Sequence, residues 1–272
     1  MRMVFVIGLL YINNIEIFFM MRLLSILFGV LLLPFVGMPS AEAGTLEQII
    51  HKKEFKICVN RHALPFSEYD SPTPGAHVEM AELFARELGV SLTFSWITFR
   101  YRAKYKQCDA FMGTAVLGEE GFVKRTNPYL NVEMYVVSKP GLKINTLDDF
   151  DGLKVATPSA SLAHTVFVNR PKVEVFVSMP KDKEMLDALV SGRVDAAIVS
   201  NVGVGWYKKS NPGVEFELTS AEFVHSFNGY PMAIGFRKSD SAMVVKANEI
   251  LKKITSNGEL AKVFEKYGLD LN

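Results

Sequence analysis

Short apolar runs alternate with amphipathic helical stretches along almost the whole chain beyond residue 44, and this alternation constrains the fold more than any other feature. Runs at 55–59, 91–96, 108–112, 135–137, 154–157, 173–176, 196–199 and 232–236 are rich in Val, Ile and Phe and read as strands. Between them, residues 78–88 place Met80, Leu83, Phe84 and Leu88 at helical spacing and end on Gly89, which accepts the left-handed cap conformation without strain. Residues 45–53, 161–168 and 183–191 read as further helices, with Ser161 as an N-cap and Gly192 as a C-cap. Residues 242–255 and 259–267 close the chain as two helices parted by Asn257-Gly258. Strands joined through helices pair in parallel and carry those helices on their faces. The expectation is therefore an α/β fold of mostly parallel sheets flanked by helices. Two sets of these units, with crossings near 138–141 and 228–230, predict two lobes, 44–138 plus 230–272 and 139–229. Ligands of open α/β sheets lie beyond the carboxyl ends of the strands. Those ends fall at 60–66, 113–114, 158–161 and 200–201, on both lobes, so a cleft between lobes is the expected site.

The mean hydropathy of +0.16 is high for such a fold, and the excess sits at the N-terminus. LLSILFGVLLLPFVGM (23–38) carries no charge, follows Met21-Arg22 and precedes Ala41-Glu42-Ala43. A short basic start, an apolar core and an A-x-A site describe a secretory signal peptide cleaved after Ala43. Residues 1–20 upstream of it read as a mis-assigned start, with translation beginning at Met20 or Met21. The rival reading is a membrane anchor, although Asn13, Asn14 and Glu16 interrupt the apolar stretch. Export to the periplasm is the expectation, with membrane contact only through the leader. Thirty Lys+Arg against 29 Asp+Glu give a net charge of +1, which supplies no field for nucleic acid.

Two cysteines exclude a disulfide-dense scaffold and a four-thiolate zinc site. In an oxidising compartment Cys58 and Cys108 have one pairing available, and both belong to apolar runs, FKICV and CDAFMG, that read as buried strands. Closing a loop of about 50 residues stabilises by roughly 4 kcal/mol in chain entropy. Two buried free thiols are the alternative. His51, His62, His77, His164 and His225 show no helical ligand spacing, so no metal site is expected. Asp148, Asp149 and Asp151 lack the spacing of a calcium loop and read as a turn before a strand. Neither a cofactor-binding motif nor a nucleophile or zinc-protease motif is present, so neither cofactor nor enzymatic activity is expected. The basic run Arg100, Tyr101, Arg102, Lys104 reads as a solvated loop or as a docking patch for an acidic partner protein. Phe66, Trp96, Phe99, Tyr129 and Met179 could line an apolar cleft, though core is the plainer reading for any one of them.

The order of LPFS, GAHVEMAELFARELGV, CDAFMG and NPY resembles the periplasmic solute-binding proteins of polar-amino-acid type. LDDFDGLKVA, LVSGRVDAAIV, PMAIGFRKSD and NGELAKVFEKYG agree in order and spacing. The resemblance implies a two-lobed Venus flytrap fold with two hinge crossings. The family's amino-acid binders hold the carboxylate with an Arg soon after the C-D-A strand, but residues 113–122 here contain no Arg. The family's ammonium-binding Asp falls on Ser200, and its lid Tyr falls near Ala63, while the hydroxyl at the second-lobe helix start persists as Ser161. These departures disfavour an ordinary amino-acid receptor. Cys58 with Leu64-Pro65-Phe66-Ser67, Trp96, Cys108-Asp109, Met112-Gly113 and Pro128-Tyr129 is similar to a narrower type, the quinoprotein-dehydrogenase-associated MxaJ/XoxJ proteins. That resemblance implies an accessory role towards a PQQ-dependent methanol or alcohol dehydrogenase and its cytochrome c. The alternative is the substrate-binding component of an ABC transporter for a small, non-amino-acid solute. The cleft residues expected from strand ends and resemblance together are Asn60, Arg61, His62, Leu64, Phe66, Trp96, Gly113, Thr114, Ser159, Ser161, His164, Ser200 and Asn201.

Overall fold

The computed structural model describes residues 45–118, 123–226, 228–237 and 241–270, without the side chains of Arg100, Lys104 and Arg237. The expected leader (1–43) and residues 119–122 of the Arg-free stretch lie outside the described residues. α1 (Leu46–Lys52) starts at Thr45, whose hydroxyl accepts the Gln48 amide while the Gln48 side chain accepts the Thr45 amide. This reciprocal cap satisfies two donors that a helix start otherwise leaves open. β1 (Glu54–Asn60) follows, and then the small antiparallel ladder β2 (His62–Ala63) with β3 (Ser67–Glu68). α2 (Ala76–Leu88) buries Met80, Phe84 and Leu88 and ends at Gly89, φ 69°. Its start needs a glycine: Gly75 has φ 105°, and a Cβ there would strike the Phe66 carbonyl. β4 (Ser91–Ile97) and β5 (Ala110–Ala115), with the short helix α3 (Ala103–Lys106) between them in sequence, both pair with β1 in parallel.

β7 (Leu130–Ser138) carries the chain into the second lobe. Leu130 to Glu133 pair with β12 (Gly229–Arg237), while Met134 to Ser138 pair with β10 (Ala196–Ser200). The exchange thus occurs between Glu133 and Met134, upstream of the crossing expected at 138–141. β8 (Lys154–Ala156) lies between β10 and β9 (Glu174–Phe176), with all three parallel. β11 (Glu217–Ser220) adds to β7, and β6 (Val123–Arg125) adds to β12. The resulting order is β4-β1-β5-β12-β7-β10-β8-β9. The sheets are mixed rather than mostly parallel. Strands joined through helices pair in parallel, whereas β7 and β12 pass straight between lobes and meet their neighbours antiparallel.

In the second lobe α4 (Leu162–Val168) is capped by the Ser161 hydroxyl on the His164 amide, 3.0 Å. α5 (Asp182–Val190) buries Met185, Leu186 and Leu189. α7 (Ser241–Ser256) and α8 (Glu259–Lys266) return to the first lobe, where Ile250, Ile254 and Phe264 join the core of α2 and β1. α6 (Asn201–Ser210) is a helix that the sequence pattern did not suggest. Gly203 and Gly205 lower its helical propensity, and packing overrides that cost. A Cβ on Gly203 would enter the Asp182 side chain, and one on Gly205 would enter the Gly268 carbonyl. Val202, at the start of α6, is buried within the first lobe's core.

Candidate functional site

The expected disulfide is formed. Cys58 and Cys108 are joined, with Cα atoms 5.5 Å apart, and both are buried beside Ile97 and Ala103. The parallel registers explain this: β1 lies between β4 and β5, so Cys58 reaches the turn that enters β5.

Two cavities meet at the strand ends. One of about 360 Å³ lies between the lobes, lined by His62, Leu64, Pro65 and Phe66 of the first lobe and by Asp182, Ser200, Val202, Gly203 and Trp206 of the second. The other, about 260 Å³, belongs to the first lobe and is lined by Asn60, Phe66, His77, Phe111, Gly113 and Tyr230, among others. Phe66 borders both. A groove of about 800 Å³ runs between residues 127–131 and α7, away from the strand ends.

The first-lobe wall is aromatic. Phe66 stacks on His77 with centroids 4.2 Å apart and planes 14° apart. His77 Nε2 lies 2.7 Å from the Tyr129 hydroxyl, which also bonds the Met112 carbonyl. That carbonyl can only accept, so the hydroxyl donates to it and Nε2–H donates to the hydroxyl oxygen. Burial without a counter-charge lowers the His77 pKa to about 3 and keeps the ring neutral. Burial also pushes the Tyr129 hydroxyl well above its usual range. Close packing of this ring explains Gly113, where a Cβ would sit 2.7 Å from His77 Cε1.

The second-lobe wall is polar. Asp182 Oδ2 accepts from the Ser200 hydroxyl at 2.5 Å and from the Ser200 amide at 3.3 Å. Desolvation raises the Asp182 pKa, and the Ser200 hydrogen bonds oppose that rise. The family position for an ammonium-binding Asp is Ser200 here, yet a carboxylate arrives beside it from α5. The sequence reading missed Asp182 because the two residues are separated by a helix and a strand. Trp206 was missed with the rest of α6. The Ser161 hydroxyl, besides capping α4, lies 3.1 Å from Thr157 Oγ1.

Several expected cleft residues have other tasks. Asn201 accepts from the Glu133 amide (3.1 Å) and donates to the Asn131 carbonyl (2.9 Å), tying α6 to the crossing strand. Arg61 lies over the Tyr69 ring at 4.0 Å. His62 Nδ1 is 2.5 Å from Glu68. Trp96 packs against Phe94, Tyr69 and the first-lobe core rather than lining either cavity. The Thr114 hydroxyl points at Gly235. Ser159 is exposed, and His164 Nδ1 accepts the Ala160 amide within its own loop. Asn60 Oδ1 accepts the His62 amide. Met179 is core, and Phe99 is exposed. Arg125, the guanidinium soon after β5, donates to the carbonyls of Leu117 and Gly118. The acidic turn is explained locally: Asp149 accepts the amides of Asn145 and Thr146, while Asp148 and Asp151 pair with Arg170. Among the described residues no cluster of three metal-ligating side chains occurs, and no helix is long and apolar enough to cross a membrane.

Two lobes joined by two crossing strands, with a cavity at the facing strand ends, define the periplasmic binding protein fold. Solved structures share it. An ancestral cationic amino acid solute-binding protein, AncCDT-1, superposes with TM-score 0.70 at 22% identity, over 83% of this chain and all of that one. A polar amino acid ABC uptake transporter substrate-binding protein from Streptococcus thermophilus gives TM-score 0.67 at 21% identity, over 86% and 94% of the two chains. Residues 55–270 match the bacterial extracellular solute-binding proteins, family 3, and the chain belongs to that family. A probable histidine-binding protein of Neisseria gonorrhoeae is 24% identical, over 79% of this chain and 83% of the relative. The arginine-binding extracellular protein ArtP of Bacillus subtilis is 26% identical over 71% and 77%. Membrane-bound lytic murein transglycosylase F of Pectobacterium atrosepticum is 22% identical, and the match spans 53% of its length.

Proposed function

We propose that this chain is a periplasmic accessory binding protein that docks onto a PQQ-dependent methanol or alcohol dehydrogenase and serves its maturation or activation. The observation that carries this reading is the segment beside the disulfide. Phe99, Tyr101 and Tyr105 are 54%, 65% and 75% exposed, and Arg102 and Lys106 are exposed among them. The Phe99 and Tyr101 rings stack on each other at 5.7 Å. Large rings held in water beside cations suit an acidic protein surface. Ala103 anchors the segment to the buried disulfide, so these rings are presented on a fixed base. The resemblance to the dehydrogenase-associated type and the altered clamp positions support the same reading.

The test is a pull-down with the mature protein in periplasmic extract, repeated with Tyr101→Ala/Arg102→Glu. The expected result is recovery of a dehydrogenase, with or without its cytochrome c, and loss of that recovery in the variant. Stabilisation by a standard amino acid with no dehydrogenase recovered overturns the proposal. A second reading, the substrate-binding component of an ABC transporter for a small, non-amino-acid solute, is favoured by the interlobe cavity. Recovery of a permease from detergent-solubilised membranes, with no dehydrogenase recovered from the extract, would establish it.

A further inference from the structure

β4 is the outer strand of the first-lobe sheet, and the described residues place no strand beyond it. Its inner side is fully used, because Ser91 to Ile97 keep an unbroken register with β1. The Ser91 amide donates to the Lys53 carbonyl and the Ile97 carbonyl accepts the Arg61 amide, so the backbone groups of the odd-numbered residues face β1. Strand alternation then turns the N–H and C=O of Leu92, Phe94 and Trp96 outward. These groups bond no backbone or side chain among the described residues. Outer strands are ordinarily blunted by a charge, a proline or a bulge. SLTFSWI (91–97) has none of these. Beside it, the half-buried Phe94 and Trp96 rings and the exposed Tyr69 ring form an aromatic row. Cations stand at both ends of the strand. Lys53 precedes Glu54, the β1 partner of Ser91, and Arg102 and Lys106 come soon after Ile97. All three are exposed, and no acidic side chain pairs with them among the described residues. Glu54 itself takes the Thr93 hydroxyl at 2.7 Å.

We infer that the β4 edge receives an extended segment of a partner protein as an added strand, with acidic residues at the segment's ends and apolar ones over Phe94 and Trp96. The open backbone groups supply affinity whatever the segment's sequence, and the flanking cations select its charge. A second copy of this chain fits less well. Two-fold antiparallel pairing of β4 with itself would set Lys53 of one copy against the Arg102 end of the other, like charge on like. A basic segment meets the same repulsion. The edge is continuous with the Phe99–Tyr105 face, which begins just after Ile97. The inference therefore deepens the docking role, and it rests on that role for the source of the segment.

The experiment is fluorescence anisotropy of the full mature protein with labelled peptides of alternating valine and threonine, ended by paired aspartates in one and by paired lysines in the other. The expected result is saturable binding of the aspartate peptide, about tenfold tighter than that of the lysine peptide at low salt. Leu92→Pro removes one outward N–H and leaves the β1 ladder intact, whereas Leu92→Ala keeps that N–H. The proline variant should bind the aspartate peptide about fivefold more weakly than the alanine variant. If the proline variant does not fold by circular dichroism, two aspartate peptides decide in its place, one N-methylated on its valines and one on its threonines. At least one of them should lose binding to the wild type, and retention by both overturns the inference. No binding of the aspartate peptide, equal binding of the two charge types, or equal affinity of folded proline and alanine variants also overturns it. So does a concentration-dependent dimer in light scattering that Leu92→Pro dissolves, which would assign the edge to self-pairing. Dehydrogenase recovery is scored separately. Peptide binding without that recovery counts against the docking role alone, and recovery without peptide binding counts against strand addition alone.

Discussion

The first-lobe wall of the cleft is held by a covalent bond and by buried rings, whereas the second-lobe wall is held by one hydroxyl bonded to one carboxylate. Cys58–Cys108 ties β1 to the approach of β5, and Phe66, His77 and Tyr129 pack without a net charge. Opposite them, Ser200 and Asp182 form a short hydrogen-bonded pair at the starts of α6 and α5. The difference separates two duties. A neutral, close-packed wall fixes shape, because interiors of crystal-like density yield little. A polar wall supplies charge and direction, because its groups keep unused hydrogen-bonding capacity.

The contrast can be tested through stability, beginning with the largest effect. Cys58→Ser/Cys108→Ser should lower the urea-unfolding free energy by about 4 kcal/mol, since the bridge closes a separation of 50 residues. A loss below about 1 kcal/mol would mean that the first-lobe wall does not depend on it.

The next effect is a pH dependence from His77. Its ordinary value of 6.5 is lowered to about 3 on folding, so the unfolded chain takes up a proton that the folded chain refuses. Its stability contribution is complete above pH 6.5 and is lost as pH falls towards 3. By pH 4.5 the loss is about 2–3 kcal/mol. Urea midpoints across pH 7 to 4.5 should fall less steeply in His77→Gln than in the wild type.

Gly205→Ala should cost about 1–3 kcal/mol despite the better helix former, because the added carbon meets the Gly268 backbone across the lobes. A stabilised variant in thermal unfolding would show that this contact yields freely. The smallest effect belongs to the second lobe's surface. Arg170→Met removes pairs to the exposed Asp148 and to Asp151, and should shift the urea midpoint least of the four.

Much of this was legible in the sequence where the signal is local. Helical spacing in α2, the Ser161 cap and the pairing of two cysteines in an oxidising compartment each depend on a few residues and a general rule. What escaped the reading depends on distance. Asp182 meets Ser200 only because α5 and β10 start and end at the same edge of the sheet. α6 hides behind two glycines whose need for space is set by Asp182 and Gly268. Asn201 was expected at a ligand because it follows a strand, but the crossing strand lies nearer and takes its hydrogen bonds. β7 read as one lobe's strand because pairing partners are not written in a strand's own residues.

The meeting of Gly205 and Gly268 has a mechanical consequence. Two bare backbones touch where α6 passes the segment after α8, and the Trp206 and Tyr267 rings lie beside them with centroids 6.0 Å apart. Two crossing strands alone would act as a door hinge with one free swing. A third contact away from those strands must part or slip before the lobes can swing, so the room that two glycines leave is coupled to the opening of the cleft.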